Sequence, residues 1–365
     1  MGTAPRKPSV SQGSGTPQRH AAWLQAAQHR GWRNALLWPV SLVYRGLIAV
    51  RRHLYALGVL RVHRLDVPVI VVGNVVIGGA GKTPCTMALV KHLSDQGWRP
   101  GVVSRGHGRQ TPGVTAVHAT SSANEVGDEP LLIHRQTGVP VCVAARRVDA
   151  AKALLAAHPH VNVLVCDDGL QHLALGRDLA IVVFDDRGVG NGWTLPAGLL
   201  RERWPPLTTS PFRPDLVLRQ RREEAPGTPL DAAGLPLFDA VRRLAAHAIG
   251  PQGQRKLLAQ LQGPSLTAVA GIARPEVFFS MLRASGLTPA REIALPDHAD
   301  PTAYAELLRD ASHALICTEK DAVKLFPLLP PGETHEAWAV PLELQPDPAF
   351  FAAVDARLAA LVAQR

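Results

Sequence analysis

The sequence is poor in cysteine: four in 365 residues, at positions 85, 142, 166 and 317, with no CxxC pair and no zinc spacing. A disulfide scaffold or a structural zinc site needs clustered cysteines, so neither is supported. The thiols are expected to be reduced core residues in a cytosolic compartment. No segment repeats at a fixed period and no heptads are sustained, which argues against solenoids and coiled coils. Aromatics make up only 5% of residues and do not interleave with the dispersed arginines, so a nucleic-acid groove has little support. A clean bilayer-spanning run of about 20 apolar residues is also missing. The best stretch, Ala35 to Val50, is broken by Pro39 and Arg45. Residues 1–20 lack the apolar region of a signal peptide, so export is not expected.

What remains is an ordinary globular balance, 46% hydrophobic and 19% charged, on a chain long enough for two domains. The net charge of +9 suits an anionic partner: nucleic acid, an anionic membrane surface or a phosphorylated substrate. Residues 1–20 are rich in Pro, Gly, Ser and Gln and are expected to be a disordered tail. Residues 21–60 combine Trp32, Trp38 and Tyr44 with Arg30, Arg33, Arg45, Arg51 and Arg52. Such a mixture suits the headgroup region of a bilayer, and an interfacial, monotopic helix pair is expected; the plain alternative is an N-terminal helix packed on the core. From Leu65 strands alternate with helices, which predicts a largely parallel sheet with its ligand site at the carboxyl ends of the strands. Residues 203–234 are Pro-rich and charged, so the reading divides the remainder into domains at 61–210 and 211–365.

The chain is organised around VIVVGNVVIGGAGKTPCTMALVKHLSDQ at 69–96. A β-branched strand runs into a glycine-rich loop, Gly78-Gly79-Ala80-Gly81, then Lys82-Thr83 and a helix. Backbone N–H groups and the helix dipole would cradle phosphates there, Lys82 would reach the β/γ-phosphates, and Thr83 would offer a hydroxyl to Mg²⁺. Val76 stands where the P-loop pattern has a glycine, and the alternative is a plain glycine-rich turn with a surface lysine. A second acidic strand end, VNVLVCDD, carries Asp167 and Asp168 in the manner of a Walker B strand, whose carboxylates hold Mg²⁺ or its waters. Asp128 and Glu129 open a further helix, where carboxylates also simply complement the macrodipole. Arg105 follows a short strand, and Asp297-His298 lies in a loop before a helix. In TEKDAVKL the spacing of Thr318 and Asp321 predicts a capping box.

Taken together, the motifs resemble those of the tetraacyldisaccharide 4'-kinase family, the lipid A 4'-kinases of Gram-negative bacteria. The resemblance rests on VGNVVIGGAGKTP at 72–84, SRGHGR at 104–109, VGDEPLLI at 126–133 and CDDGLQH at 166–172. It continues through LPAGLLRE at 195–202, GIARPEVFF at 271–279, PDH at 296–298 and TEKDAVKL at 318–325. His107 stands where the pattern has Tyr, and the tail at 1–20 is additional. The resemblance implies a P-loop kinase with a second, smaller α/β domain, using ATP and Mg²⁺ to phosphorylate the 4'-hydroxyl of a tetraacylated disaccharide 1-phosphate. It implies a monotopic protein at the cytoplasmic face of the inner membrane, and no protein partner is expected. Carried over, Glu129 joins Thr83 and Asp167 as a metal contact and Asp128 becomes the general base, paired with His298. Asp168 and Arg105 are placed with the phosphates. Spacing leaves open which acid is base and which is metal-directed. Competing readings are a soluble kinase or ligase of the dethiobiotin-synthetase type and a MinD-type ATPase switch, whose extra lysine would fall at Ile77.

Overall fold

The computed structural model describes residues 23–223, 227–261, 266–310, 314–330 and 336–364. The tail expected at 1–20 lies outside these residues. In chain order the elements begin with α1 (Trp32–Ala56), β1 (Val69–Gly73), α2 (Lys82–Asp95), β2 (Pro100–Ser104), β3 (Thr115–Val117) and α3 (Ala123–Val126). Then come α4 (Asp128–Thr137), β4 (Val141–Val143), α5 (Arg147–Ala157), β5 (Val163–Asp167), β6 (Leu179–Phe184), β7 (Leu216–Arg222) and β8 (Leu237–Leu244). The remainder comprises β9 (His247–Ile249), β10 (Arg255–Leu257), β11 (Leu266–Ala270), α6 (Pro275–Ala284), β12 (Arg291–Ala294), α7 (Pro301–Asp310), β13 (Ala314–Thr318), α8 (Glu319–Leu325), β14 (Ala337–Val340), β15 (Leu342–Pro346) and α9 (Pro348–Gln364).

β1 lies inside a nine-stranded sheet of order β15-β8-β7-β6-β1-β5-β2-β4-β3. Its pairings with β5 and β6 are parallel, and only the outer pairs β15–β8 and β3–β4 are antiparallel. All five β1 residues are buried because both faces are covered. Ile70 and Val72 pack with Leu89 and Leu93 of α2, Leu131 of α4 and Phe350 of α9. Val69 and Val71 face the other way, toward Val148 and Leu154 of α5. At Gly73 a Cβ would come within 2.9 Å of the Leu170 backbone nitrogen, so the loop after β1 closes onto the loop after β5 only with glycine there. That closeness brings the two loops together at the carboxyl end of the sheet.

A second sheet, β10-β9-β14-β13-β11-β12, is parallel through β14, β13, β11 and β12. Phe278 and Leu282 of α6 cover one face, and Tyr304 of α7 and Leu325 of α8 the other. Its strands run from His247 to Val340, so the junction expected at 210/211 falls elsewhere. β7 continues the large sheet by pairing with β6, β8 follows it, and β15 returns to pair with β8. The Pro-rich stretch reads as a linker because it surrounds β7 and, among the described residues, carries no helix between β6 and β8.

The N-terminal segment forms one continuous helix, α1, after a helical turn at 23–26, rather than two matched helices. Pro39 lies inside it without ending it. The helix buries Asn34 and Ser41 and turns Trp32 and Leu36 (70% exposed each) and Val43 and Leu47 (65% each) to the outside. These apolar positions follow a helical spacing, so α1 is amphipathic with its apolar face outward. Ser41 Oγ donates to the Thr194 carbonyl and accepts from Ala197 N, and Tyr44 donates to the Arg201 carbonyl. Among the described residues no helix is long and apolar enough to cross a membrane.

The lobes also meet at Glu319, which accepts from Leu342 N at 3.2 Å and from Gln136 Nε2 at 2.6 Å. Burial pushes its carboxyl up to about 7, well above the usual carboxylate range. A carboxyl whose folded pKa exceeds its unfolded one costs stability progressively as pH rises between the two values. Glu319→Gln is therefore expected to melt a few degrees above wild type at about pH 8 and to match it near pH 4, by calorimetry.

Candidate active site

The glycine-rich loop is braced from behind. Gln220 of β7 donates to the Gly81 carbonyl at 2.7 Å, and Arg187 donates to the carbonyls of Ile77 (3.0 Å) and Gly78 (3.2 Å). Arg187 is itself held by Asp185 at 2.8 Å. Gly81 takes φ +70° immediately before α2, and a Cβ there would collide with the Gln220 side chain. With these carbonyls engaged, the N–H donors at the start of α2 remain to meet an anion. Val76, the departure from the usual loop pattern, is buried and bridges Leu200. The bridge ties the loop to the LPAGLLRE segment, and the buried Val76 side chain packs with Leu199 and Leu200, which a glycine could not do. Lys82 Nζ lies 3.3 Å from Asn74 Oδ1 and 3.6 Å from Asp168.

β5 places Asp167 opposite Val72 of β1. Asp167 is fully buried; Oδ1 accepts from Thr86 Oγ at 2.8 Å, while Oδ2 has no hydrogen-bond partner among the described residues. Burial, then the charges of Glu129 and Asp168, push its pKa up to about 7. Asp168 takes φ +47° and turns to Lys82 and to Arg201 Nη1 at 3.1 Å. Burial opposes its ionisation, but the charges of Lys82, Arg201 and Arg147 outweigh it and hold the group below its usual range. The two adjacent acids thus sit in opposite electrostatic environments.

At the start of α4, Asp128 is buried with 3% exposure. His298, in the loop before α7, brings Nδ1 to 3.0 Å from its Oδ2 and itself adopts φ +58°. α8 adds Lys324 Nζ at 3.3 Å and Lys320 Nζ at 3.9 Å. Burial alone would raise the Asp128 pKa, but the His298 hydrogen bond and the Lys320, His298 and Lys324 charges hold it far below the usual carboxylate range. Glu129, next in the chain, is 3.7 Å from Lys320. The His107 ring meets that of His298 edge-on at 4.8 Å.

These groups converge on one cavity of about 920 Å³. Gly78–Thr83, Arg105, Glu129, Asp168 and His298 line it, with Asp128 and Asp167 set behind its wall. Tyr44, Ile48, Arg51 and Arg52 of α1 form part of the same lining. Arg52 pairs with Glu202, which also accepts from Gln171 at 2.8 Å. Thr86, Arg201, Arg187, Lys320 and Lys324 escape a reading of single motifs, since each acts through a residue distant in sequence. Thr318 caps α8 by accepting from Asp321 N, one half of the expected capping box, while Asp321 Oδ1 accepts from Gly271 N and the Tyr304 hydroxyl.

The oxygen donors near Lys82 suit a hard divalent cation: Thr83, the Asp167 carboxylate with its unpartnered Oδ2, and Glu129, whose charge acts on Asp167. No group of three or more His, Cys, Asp or Glu side chains able to cage a metal occurs among the described residues. Such a sparse set is the kind Mg²⁺ shares with water and substrate phosphate oxygens.

Residues 33–359 match the family model described as tetraacyldisaccharide-1-P 4'-kinase. The chain is 56% identical over 348 residues to a tetraacyldisaccharide 4'-kinase from Acidovorax sp. (strain JS42), covering 95% of this chain and 97% of that protein. It is 50% identical over 341 residues to the protein of that name from Polaromonas naphthalenivorans (strain CJ2), covering 93% and 96%. The crystal structure of LpxK from Aquifex aeolicus in complex with ATP superposes with a TM-score of 0.74 at 26% identity, covering 89% of this chain and 99% of that one. With the family model spanning most of its length and relatives above half identity, this chain belongs to the tetraacyldisaccharide 4'-kinase family.

Proposed function

We propose that the protein transfers the γ-phosphoryl group of ATP to the 4'-hydroxyl of a tetraacyldisaccharide 1-phosphate, giving the bisphosphorylated lipid IVA. The observation that carries this is one cavity bounded at once by a phosphate loop, by the Asp128–His298 pair and by α1, whose apolar face lies outward. An amphiphilic acceptor needs a wall that continues into a lipid-facing surface. A soluble kinase of the dethiobiotin-synthetase type and an ATPase switch have no need of that wall. Exposed Trp32, Leu36, Val43 and Leu47, with arginines on the same helix, support peripheral association with an anionic leaflet at the cytoplasmic face of the inner membrane.

In this reading the amides of Gly78–Thr83 and the Lys82 ammonium neutralise the phosphates, with Asp168 and Arg201 keeping Lys82 in place. Arg105, exposed at the cavity wall, is assigned to phosphate contact. Thr83, Asp167 and Glu129 would hold Mg²⁺, which when bound supplies charge neutralisation across the β- and γ-phosphate oxygens. The base is the Asp128–His298 pair rather than Asp128 alone. A carboxylate held so far below its usual pKa is a poor proton acceptor, but it fixes the imidazole by accepting from Nδ1–H. His298 Nε2 is then the atom left to take the acceptor hydroxyl's proton.

Transfer of labelled γ-phosphate from Mg-ATP to tetraacyldisaccharide 1-phosphate in mixed detergent micelles tests the function directly. Labelled lipid is expected with wild type and none above background with Lys82→Ala; ATP hydrolysis without lipid labelling would remove the lipid acceptor from the reading. Asp128→Asn and His298→Ala are each expected to lower kcat by about 10²–10⁴ while changing ADP affinity little. The double variant should fall no further than the weaker single one, because paired groups act as a unit. Replacing Leu36, Val43 and Leu47 by Glu should abolish co-sedimentation with phosphatidylglycerol vesicles while leaving ADP binding intact; undiminished sedimentation would argue against α1 as the membrane contact.

A further inference from the structure

Lys320 sits in the first turn of α8, where the helix dipole disfavours a cation. Its side chain is also largely withdrawn from water, with 16% exposure. Its charge helps to hold Asp128 ionised, but that carboxylate has nearer partners in His298 Nδ1 at 3.0 Å and Lys324 at 3.3 Å, against 3.9 Å for Lys320. Capping does not require it, since Thr318 and Asp321 complete the cap without it. An ammonium has three donors. Two of them are met at hydrogen-bond distance, by Asp297 Oδ1 at 2.9 Å and His298 Nε2 at 3.3 Å. Glu129 stands at 3.7 Å, beyond hydrogen-bond length, and Glu129 is the charge that acts most strongly on Asp167 beside the phosphate loop. Lys320 and Lys82 line the same cavity, one from each lobe.

We propose that Lys320 is a second phosphate-binding cation, carried by the smaller lobe, that contacts the terminal phosphoryl group of the bound nucleotide. The proposal rests on the kinase reading above and adds a residue to it. In the transfer, the acceptor oxygen forms a bond to the γ-phosphorus and the bond from that phosphorus to the β–γ bridging oxygen breaks. ADP leaves, the hydroxyl proton passes to the Asp128–His298 pair, and no proton changes hands at Lys320. Its charge acts on the equatorial oxygens, which are most negative in the transition state. The contact with His298 gives the same ammonium a second consequence. Lysine only donates, so Nε2 carries its lone pair and Nδ1–H faces Asp128, the tautomer a base requires. As Lys320 turns to phosphate, Nε2 is released to the acceptor hydroxyl.

The test compares ADP with the non-hydrolysable β,γ-methylene analogue of ATP by calorimetry on full-length wild type, Lys320→Met and Lys320→Arg, alongside lipid phosphorylation. Lys320→Met is expected to weaken the analogue about tenfold or more while ADP stays within about twofold, as for loss of one charge-assisted hydrogen bond. Its kcat should fall about 10²–10³. Lys320→Arg should keep most of the preference for the analogue over ADP. Equal weakening of both nucleotides by Lys320→Met would make the residue part of the scaffold and overturn the proposal. So would a fall in kcat with neither affinity changed, or unchanged kcat. Should wild type label no lipid while Lys320→Met still loses the analogue selectively, the phosphate contact stands and the lipid acceptor falls.

Discussion

The buried carboxylate of Asp128 is the constraint on which the active arrangement depends. It belongs to the large lobe, yet its partners His298, Lys320 and Lys324 all come from the small one. A lone buried carboxylate is costly, and only these donors make its ionised state tenable. The electrostatic demand of one side chain therefore joins the Glu319 and Arg274 contacts in linking the two sheets across the cavity. It also explains why His298 tolerates a left-handed backbone, a conformation that an L-residue keeps only when its surroundings insist.

A second tension lies at the phosphate end, where Asp167 and Asp168 adjoin. Asp168 is held as an anion by Lys82, Arg201 and Arg147; at Asp167 burial and the neighbouring acids outweigh Thr86 and Lys82, and one oxygen has no partner among the described residues. The site holds an unbalanced acceptor next to a loop of donors, which is the pattern expected of a centre completed by an anion and a cation arriving together. Lys320 extends the pattern across the cleft, so that both lobes carry a cation into the space where charge builds up.

The sequence reading expected a pair of helices within residues 21–60, and the structure has one long helix, α1, with its apolar face outward. In a core helix the apolar stripe packs inward; here Ser41 and Tyr44 make the inward contacts through hydrogen bonds while Leu36, Val43 and Leu47 stay outside. The polar docking fixes the helix against the LPAGLLRE segment, and Arg51 and Arg52 reach the cavity from it. An exposed apolar face and the cavity of the glycine-rich loop are thereby built on a single wall.

Much of the molecule was legible in the amino-acid order, because strand–glycine–helix units and acidic strand ends are local patterns. Val69–Gly73, the loop at 78–83, Asp128-Glu129 and Asp167-Asp168 all announce themselves through propensity, dipole and spacing, and the resemblance of eight motifs to one kinase family pointed to the activity. Tertiary structure decided the rest. The division at 210/211 put residues 216–222 in a second domain, and only parallel pairing with β6 returned β7 to the first. TEKD read as a cap, and the cap is real, but Lys320 acquires meaning only where α8 meets α4, nearly two hundred residues earlier in the chain. Val76 looked like a defect until its bridge to Leu200 appeared. The physical reason is common to all three: backbone preference acts over a few residues, whereas charge compensation and strand pairing act through space and depend on which partner the fold delivers.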